Sequence, residues 1–283
     1  MPKVIFNEDE IKRFINEFSS FEVDPPTEYI LHFFKIKEAT VSIYKSGAVL
    51  FQGGNLEMFK DYLKLDSIDD NSQDIIYDDY NVIGADEVGT GDLFGPIVCA
   101  SVFVSKDQVN ELKELGVKDS KALDDNKIIE LATKIIKSFK HQASICRNEV
   151  YNDNIDKINL NKMKAKLHDL NIRSLVKRCD YDYVVLDEFA SKDKYFEYLD
   201  DKGFKDISFE FRGESKSIAV AASSIVARYY FLKEFDRLKR DYGYDFPKGS
   251  GDIANRMIDI IRSDSKEGIF YHTAKLNFKN FKK

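Results

Sequence analysis

Apolar residues at Ile11, Phe14, Ile15 and Phe18 recur at the spacing of one helix face, and the breaker Asp24-Pro25-Pro26 follows, so the chain opens on a helix over residues 8–18. Three short segments rich in β-branched and aromatic residues come next, at 29–35, 39–44 and 48–52, with Ser46-Gly47 as the turn signal of a hairpin. A helical pattern returns over 55–63. The stretch LDSIDDNSQDIIYDDY, residues 65–80, is rich in Asp, Asn and Ser and lacks either period over most of its length, which predicts a linker. Beyond it, strands are predicted at 80–85 and 97–104, flanking a glycine-rich turn. A helix follows at 126–139, carrying Ile128, Ile129, Leu131, Ala132, Ile135 and Ile136, and then a strand at 143–148. The helix predicted at 159–179 has Met163, Leu167, Leu170, Leu175 and Val176 as its expected buried stripe. The short apolar run 183–186 fits a buried strand, and helices close the chain at 217–238 and 253–262. Three divisions result: a small α+β domain over 1–64, an acidic linker over 65–80, and an α/β domain over 81–283 whose mixed sheet is flanked by helices.

Composition supports a folded globule and narrows the chemistry. Of the 283 residues 43% are hydrophobic, 33% are charged and five are proline, a balance unlike that of disordered or fibrous chains. The apolar stretch Ile218 to Val226 is broken by Ser223-Ser224 and falls far short of the roughly 20 residues of a membrane span. The first ten residues lack the basic start and apolar run of a secretory signal, so no membrane association and a cytoplasmic address are expected. Cys99, Cys146 and Cys179 are odd in number and widely spaced, which suits a reducing compartment, and the four histidines show no paired metal-binding spacing. Any metal must therefore be held by oxygen.

A net charge of −6 argues against a simple nucleic-acid binder. Lysines nevertheless cluster at Lys134, Lys137 and Lys140, at Lys162, Lys164 and Lys166, and at Lys275, Lys279, Lys282 and Lys283. Each cluster reads as a basic patch or as a solvated helix face. No obligatory protein partner is indicated, and a monomer is the default.

The stretch Ile83-Gly84-Ala85-Asp86-Glu87-Val88-Gly89-Thr90-Gly91-Asp92-Leu93-Phe94-Gly95-Pro96 sets two adjacent carboxylates at the end of an apolar strand, where burial is costly unless cations compensate. Its glycines allow close backbone approach to a ligand, but their spacing matches neither the dinucleotide fingerprint nor a P-loop. Asp187 ends a second apolar run, at what would be the same sheet edge. Glu214 lies just before the helix expected from Ile218, with Ser217 as its N-cap. Turn acids and acids favoured by a helix N-terminus explain the same residues individually. Taken together, Asp86, Glu87, Asp187 and Glu214 form a four-oxygen donor set suited to Mg²⁺ or Mn²⁺. Such a set can hold two ions for phosphodiester hydrolysis, with Asp86 as the bridging candidate.

Asp86-Glu87-Val88-Gly89-Thr90-Gly91 with Phe94-Gly95-Pro96 resembles the opening motif of the type 2 ribonucleases H. The resemblance continues at Lys118-Asp119-Ser120-Lys121, at Asp187, at Gly213-Glu214-Ser215 and at Val220 to Arg228, so it covers the chain from about Asn81 onward. Gly-Thr-Gly, a Glu at 214 and the N-terminal extension are similar to the ribonuclease HIII branch. The resemblance implies a ribonuclease H fold, metal ligation by Asp86, Glu87, Asp187 and Glu214, and contact of Gly89, Thr90 and Gly91 with ribose 2′-hydroxyls. It further implies endonucleolytic cleavage of the RNA strand of RNA/DNA hybrids, leaving 5′-phosphate and 3′-hydroxyl ends. Arg212, Ser120 and Lys121 become phosphate-binding or site-supporting residues. The first domain looks like the TATA-binding-protein-like domain of that branch, with Lys45 and Gln52 as hybrid contacts. Glu188 departs from the expected uncharged neighbour of the third acid. Two rivals remain open: incision at single ribonucleotides in duplex DNA, and a hybrid-binding module without catalysis.

Overall fold

Short β-branched and aromatic segments in the first quarter of the chain and apolar runs in the rest build two separate five-stranded sheets. The structure, a computed structural model, describes residues 3–27, 29–37, 39–45, 47–53, 57–63, 75–117, 123–200 and 202–281. The chain divides into two compact units, Met1–Ile75 and Ile76–Lys283.

The first unit comprises β1 (Lys3–Ile5), α1 (Glu8–Phe18), β2 (Glu22–Val23), β3 (Ile30–Ile36), β4 (Ala39–Tyr44), β5 (Ala48–Gly53) and α2 (Lys60–Leu63). Its sheet runs β1-β5-β4-β3-β2 with every pair antiparallel. Asn7 starts α1 through a capping box, its side chain accepting from the Glu10 amide at 2.9 Å while Glu10 accepts from the Asn7 amide at 2.8 Å. The helix lays Phe14 and Phe18 against Phe34, Phe51 and Phe59, and Ile11 and Ile15 pack at the margin of this core. Gly47 turns the β4–β5 hairpin with φ 78°, its amide donating to the Tyr44 carbonyl at 2.9 Å. The edge strands β1 and β2 were not predicted; three and two residues are too few to show a period. In place of one helix over 55–63 there is a 3₁₀ turn at Glu57–Phe59 followed by α2, with residues 55 and 56 outside the described set.

In the second unit β6 (Val82–Val88), β7 (Ile97–Val104), α3 (Val109–Glu114), α4 (Asp125–Ser138), β8 (His141–Cys146), α5 (Asn148–Asn154), α6 (Leu160–Val176), β9 (Tyr183–Asp187), α7 (Lys192–Tyr198), β10 (Ser208–Glu210), α8 (Gly213–Lys216), α9 (Ile218–Tyr242), α10 (Asp252–Ser263) and α11 (Phe270–Thr273) follow in order. The sheet order is β10-β9-β6-β7-β8. β6, β7 and β8 form an antiparallel meander, whereas β9 and β10 run parallel to β6. Helix α9 covers β6 and β7 on one side with α4 against it, and α6 covers β6, β7 and β8 with α7 against it. Among the described residues no helix is long and apolar enough to cross a membrane.

Three details differ from the sequence expectation, each for a physical reason. Ser217 occupies the N-cap position of α9, but its side chain caps nothing. The Ile218 amide donates instead to the buried carboxylate of Asp78 at 3.0 Å, and Asp78 is paired with Lys113 at 3.0 Å. Asp78 and the buried Tyr77 thus belong to the second unit, although the sequence placed both in the linker. On α6, Leu170 is 61% exposed, and Lys164, His168 and Asn171 are buried beside Met163, Ile172 and Leu175. Polar residues hold that face because they have buried partners: the Asn171 side-chain amide donates to the Cys99 carbonyl at 2.9 Å and accepts from the Ser144 hydroxyl at 2.6 Å. Lys164 and Lys275, counted from sequence among surface patches, are both buried.

Candidate active site

Parallel pairing decides which acids meet. β6 and β9 are in register from Val82↔Tyr183 to Ala85↔Leu186, so the next residue of each strand, Asp86 and Asp187, reaches the same carboxyl-end edge of the sheet. β10 extends that edge, with Glu210 opposite Asp187. The turn after β10 brings Arg212 into the left-handed region at φ 54° and starts α8, whose Gly213 amide donates to Asp187 Oδ1 at 2.7 Å. Glu214, partly buried, is the next residue on that turn. Glu188, exposed, has its amide bonded to the Glu210 carbonyl at 3.0 Å.

Adjacent residues of a strand project to opposite faces, so Asp86 and Glu87 meet different neighbours. Asp86 turns toward α9. Burial pushes its proton affinity up to about 8, the negative charges of Glu87 and Asp187 add to the rise, and hydrogen bonds from the Ser224 hydroxyl and the Glu87 amide offset it only in part. Glu87 turns toward α6, where Oε1 accepts from Lys164 Nζ at 2.8 Å and Oε2 from His168 Nε2 at 2.9 Å. Burial raises the pKa of Glu87, but those two partners outweigh it and leave the carboxyl below its ordinary value. Both partners were missed from sequence. Their only signal was an i, i+4 Lys/His pair on the side of α6 that also carries Ile172 and Leu175.

The donor set fits a hydrated divalent cation. All four acids offer oxygen, and burial together with the charges of Glu87 and Asp187 raises the pKa of Asp86, the mark of carboxylates crowded at the strand ends. Among the described residues no group of three or more His, Cys, Asp or Glu side chains is drawn close enough to hold a metal ion. An all-oxygen donor set suits Mg²⁺ or Mn²⁺, which keep several waters and use one or two carboxylates together with substrate phosphate, better than a structural zinc. Asp86, Asp187, Glu87 and Glu214 are the residues that could hold such ions.

The glycine turn after β6 is braced from the far end of the chain. Gly89 has φ +93°, and a Cβ there would lie 2.2 Å from the Pro96 carbonyl oxygen, so residue 89 has to be glycine. Gly91 is exposed, and a Cβ there would meet nothing within 4 Å. Thr90, between them, is partly buried. Lys275, fully buried, reaches under the turn and donates to the carbonyls of Asp92 at 2.8 Å and Gly95 at 2.7 Å. Its amide donates to the Leu93 carbonyl at 2.9 Å, and the Gly95 amide to the Thr273 carbonyl at 2.9 Å.

Burial lowers the pKa of Lys275 from 10.5 to about 7, against the raising influence of Asp92 and Cys146. A neutral amine still has two N–H groups for its two carbonyls. Between pH 7 and 10.5 the unfolded chain therefore holds the extra proton, and folding stability rises with pH. Relative to Lys275→Met, the parent is expected to gain stability by up to about 1.4 kcal/mol per pH unit over that window, read from urea unfolding at a series of pH values. A constant difference would show Lys275 to be charged throughout.

The remaining sequence candidates are dispersed. Arg212 is exposed, its guanidinium 5.4 Å from the Phe211 ring centroid. Ser120 and Lys121 lie outside the described residues. In the first unit, Lys45 is exposed at the hairpin after β4, and Gln52 sits on β5 opposite Thr40. Phe51 is part of the core and Tyr44 is partly buried, so the aromatic interleaving there is structural first.

Residues 83–281 match the family model described as Ribonuclease HII, and residues 4–74 match one described as a domain of unknown function, DUF3378. A ribonuclease HIII of Staphylococcus haemolyticus (strain JCSC1435) is 38% identical over 270 residues, spanning 88% of this chain and 86% of the relative. Among solved structures, Bst-RNase HIII in complex with Mn²⁺ superposes with a TM-score of 0.70 at 32% identity, covering 99% of this chain and 96% of that one. RNase H3 of Aquifex aeolicus gives 0.59 at 25% identity, covering 98% and 99%.

Proposed function

Because the chain belongs to the type 2 ribonucleases H, in the ribonuclease HIII branch, and is thus a divalent-metal-dependent endoribonuclease acting on RNA/DNA hybrids, we propose that it cuts the RNA strand by a two-metal hydrolysis leaving 5′-phosphate and 3′-hydroxyl ends. The observation that carries this reading is the side-by-side placement of Asp86 and Asp187 at the ends of parallel strands, where burial and the neighbouring acids raise the pKa of Asp86. Divalent ions bound there supply activation of the attacking water and stabilisation of the leaving oxygen.

This chain's own residues then have separable tasks. Asp86, whose pKa both Glu87 and Asp187 raise, is the candidate to serve both ions. Asp187 is kept in place by the Gly213 amide, and Glu214 follows on the same turn. Histidine is not offered as the base, because His168 already points its Nε2 at Glu87. Gly89, Thr90 and Gly91 are the proposed ribose readers, Arg212, Ser120 and Lys121 the proposed phosphate-side residues, and Lys45 and Gln52 the proposed contacts of the first unit. We also assign the first unit to substrate grip and the second to catalysis.

Gly91→Ala separates recognition from folding. Nothing stands where its Cβ would go, so the unfolding midpoint should stay at the parent value. If residue 91 approaches the ribose, kcat/KM on a hybrid falls about tenfold, the worth of one hydrogen bond lost. Unchanged kinetics would remove Gly91 from the ribose readers.

The decisive assay uses end-labelled substrates, a continuous RNA/DNA hybrid and a DNA duplex with one embedded ribonucleotide, in Mg²⁺, Mn²⁺ or chelator. Metal-dependent cutting of the hybrid alone, with 5′-phosphate on the downstream product, supports the reading. Efficient incision at the single ribonucleotide would assign the sibling activity, and binding without cutting in either metal would refute catalysis.

A further inference from the structure

Glu87 is held by a bracket that the reaction as described above leaves unexplained. Lys164 and His168 stand one helical turn apart on α6, and each engages a different oxygen of the Glu87 carboxylate, at 2.8 and 2.9 Å. All three side chains are sequestered, 7% exposed for Lys164, 0% for His168 and 11% for Glu87. Phe189 closes the bracket from outside: its ring centroid is 4.0 Å from the ammonium of Lys164 and 5.5 Å from the imidazole centroid of His168.

The two donors reach Glu87 differently. His168 donates through Nε2 of its ring, and its Nδ1 is buried without a hydrogen-bond partner. Lys164 brings an ammonium into a salt bridge with the same carboxylate. A carboxylate oxygen has two lone pairs, so Glu87 can accept from Lys164 and His168 and still face a metal ion with what remains. The ion and the ammonium then share one carboxylate and repel each other.

We propose that Lys164 is an internal counter-cation that competes with divalent metal for Glu87: it keeps this ligand in place before metal arrives and sets how tightly metal is held. The proposal rests on Glu87 being a metal ligand. It makes Lys164 a positioning residue with a measurable sign, because removing its charge should tighten metal binding. An outer partner that only orients a ligand does the reverse, weakening the site by roughly 10–100-fold when lost.

The test is Mn²⁺ titration by calorimetry, with free Mn²⁺ counted by electron paramagnetic resonance, on the full chain without substrate. Lys164→Gln removes the charge and retains a donor toward Glu87, which protects the fold. It should bind Mn²⁺ about tenfold more tightly, a factor that repulsion between a divalent ion and a nearby ammonium supplies even when screened as in water. Lys164→Arg should keep the parent affinity. Glu87→Gln should weaken binding, and adding Lys164→Gln to it should change little further. Equal or weaker binding by Lys164→Gln, with Glu87→Gln still weakened, overturns the competition and leaves the ligand assignment standing. Parent-like binding by Glu87→Gln overturns the ligand assignment, and the competition with it.

Discussion

Asp86→Asn is expected to abolish hybrid cleavage while leaving the metal-free protein at least as stable as the parent. Losing an outer partner of a metal site costs about 10–100-fold, so losing one of the proposed ligands themselves should cost on the order of 10³-fold or more. The stability half of the prediction comes from the same residue. Folded Asp86 ionises near pH 8 and the unfolded residue near 3.8, so between those values the unfolded chain has given up a proton that the folded chain retains, and the parent loses stability as pH rises. Asparagine carries no such charge. In chelator, the unfolding temperature of the variant should overtake that of the parent progressively from pH 5 to pH 8. Mn²⁺ should raise the parent and move the variant little. A variant that cuts hybrids at near the parent rate would end the assignment of Asp86; one that melts well below the parent in chelator at pH 8 would make it a structural residue.

Gly84→Ala should be the most damaging substitution remote from the chemistry. Helix α9 lies so close on β6 that a Cβ at residue 84 would fall 2.2 Å from the Ala219 carbonyl carbon and 2.3 Å from the Val220 nitrogen. Both are backbone atoms in the first turn of α9 and cannot turn aside as a side chain would. The Ser223 hydroxyl marks the same close approach, 2.9 Å from the Gly84 carbonyl oxygen. Overpacking of a well-filled core usually costs about 1–3 kcal/mol, and here relief requires moving the helix that carries Ser224 beside Asp86, so about 3 kcal/mol or more is expected in urea unfolding. Cleavage should fall with it even where the variant remains folded. A loss under about 1 kcal/mol would mean that helix and strand separate easily at this point.

Legibility followed the length of the pattern and the locality of the interactions. Helices α1, α4, α6, α9 and α10 and strands β3 to β9 each show enough turns or alternations to be seen in sequence. β1, β2, β10 and α8 do not: two to four residues carry no period, and these elements exist because a neighbour completes them. The acids at 86, 87 and 187 stood out through their place at the ends of apolar runs, and Glu214 through its place before a helix and the motif around it. What holds them did not. The Asp78 cap on α9 spans 140 positions and the Lys164 contact with Glu87 spans 77, and no local rule connects such residues. Lys164 and Lys275 were misjudged for one reason, that lysine is ordinarily exposed, and each is buried only because acceptors wait for it. On α6 the expectation that leucine marks the buried face failed at Leu170, where polar residues had partners across the sheet.

The brace beneath the glycine turn also bears on how the molecule is made. Lys275 and Asp92 are 183 residues apart, and Thr273 reaches back to Gly95. During synthesis, at about 5–20 residues per second, the strand carrying Asp86 and Glu87 leaves the ribosome long before the segment that supports the loop beyond them. A nascent chain can therefore pair β6 with β7 early, yet must wait roughly ten seconds or more at such rates for the lysine that completes the turn. Nuclease activity would then wait for a lysine made 183 residues after the turn it supports, however early the acids themselves are in place.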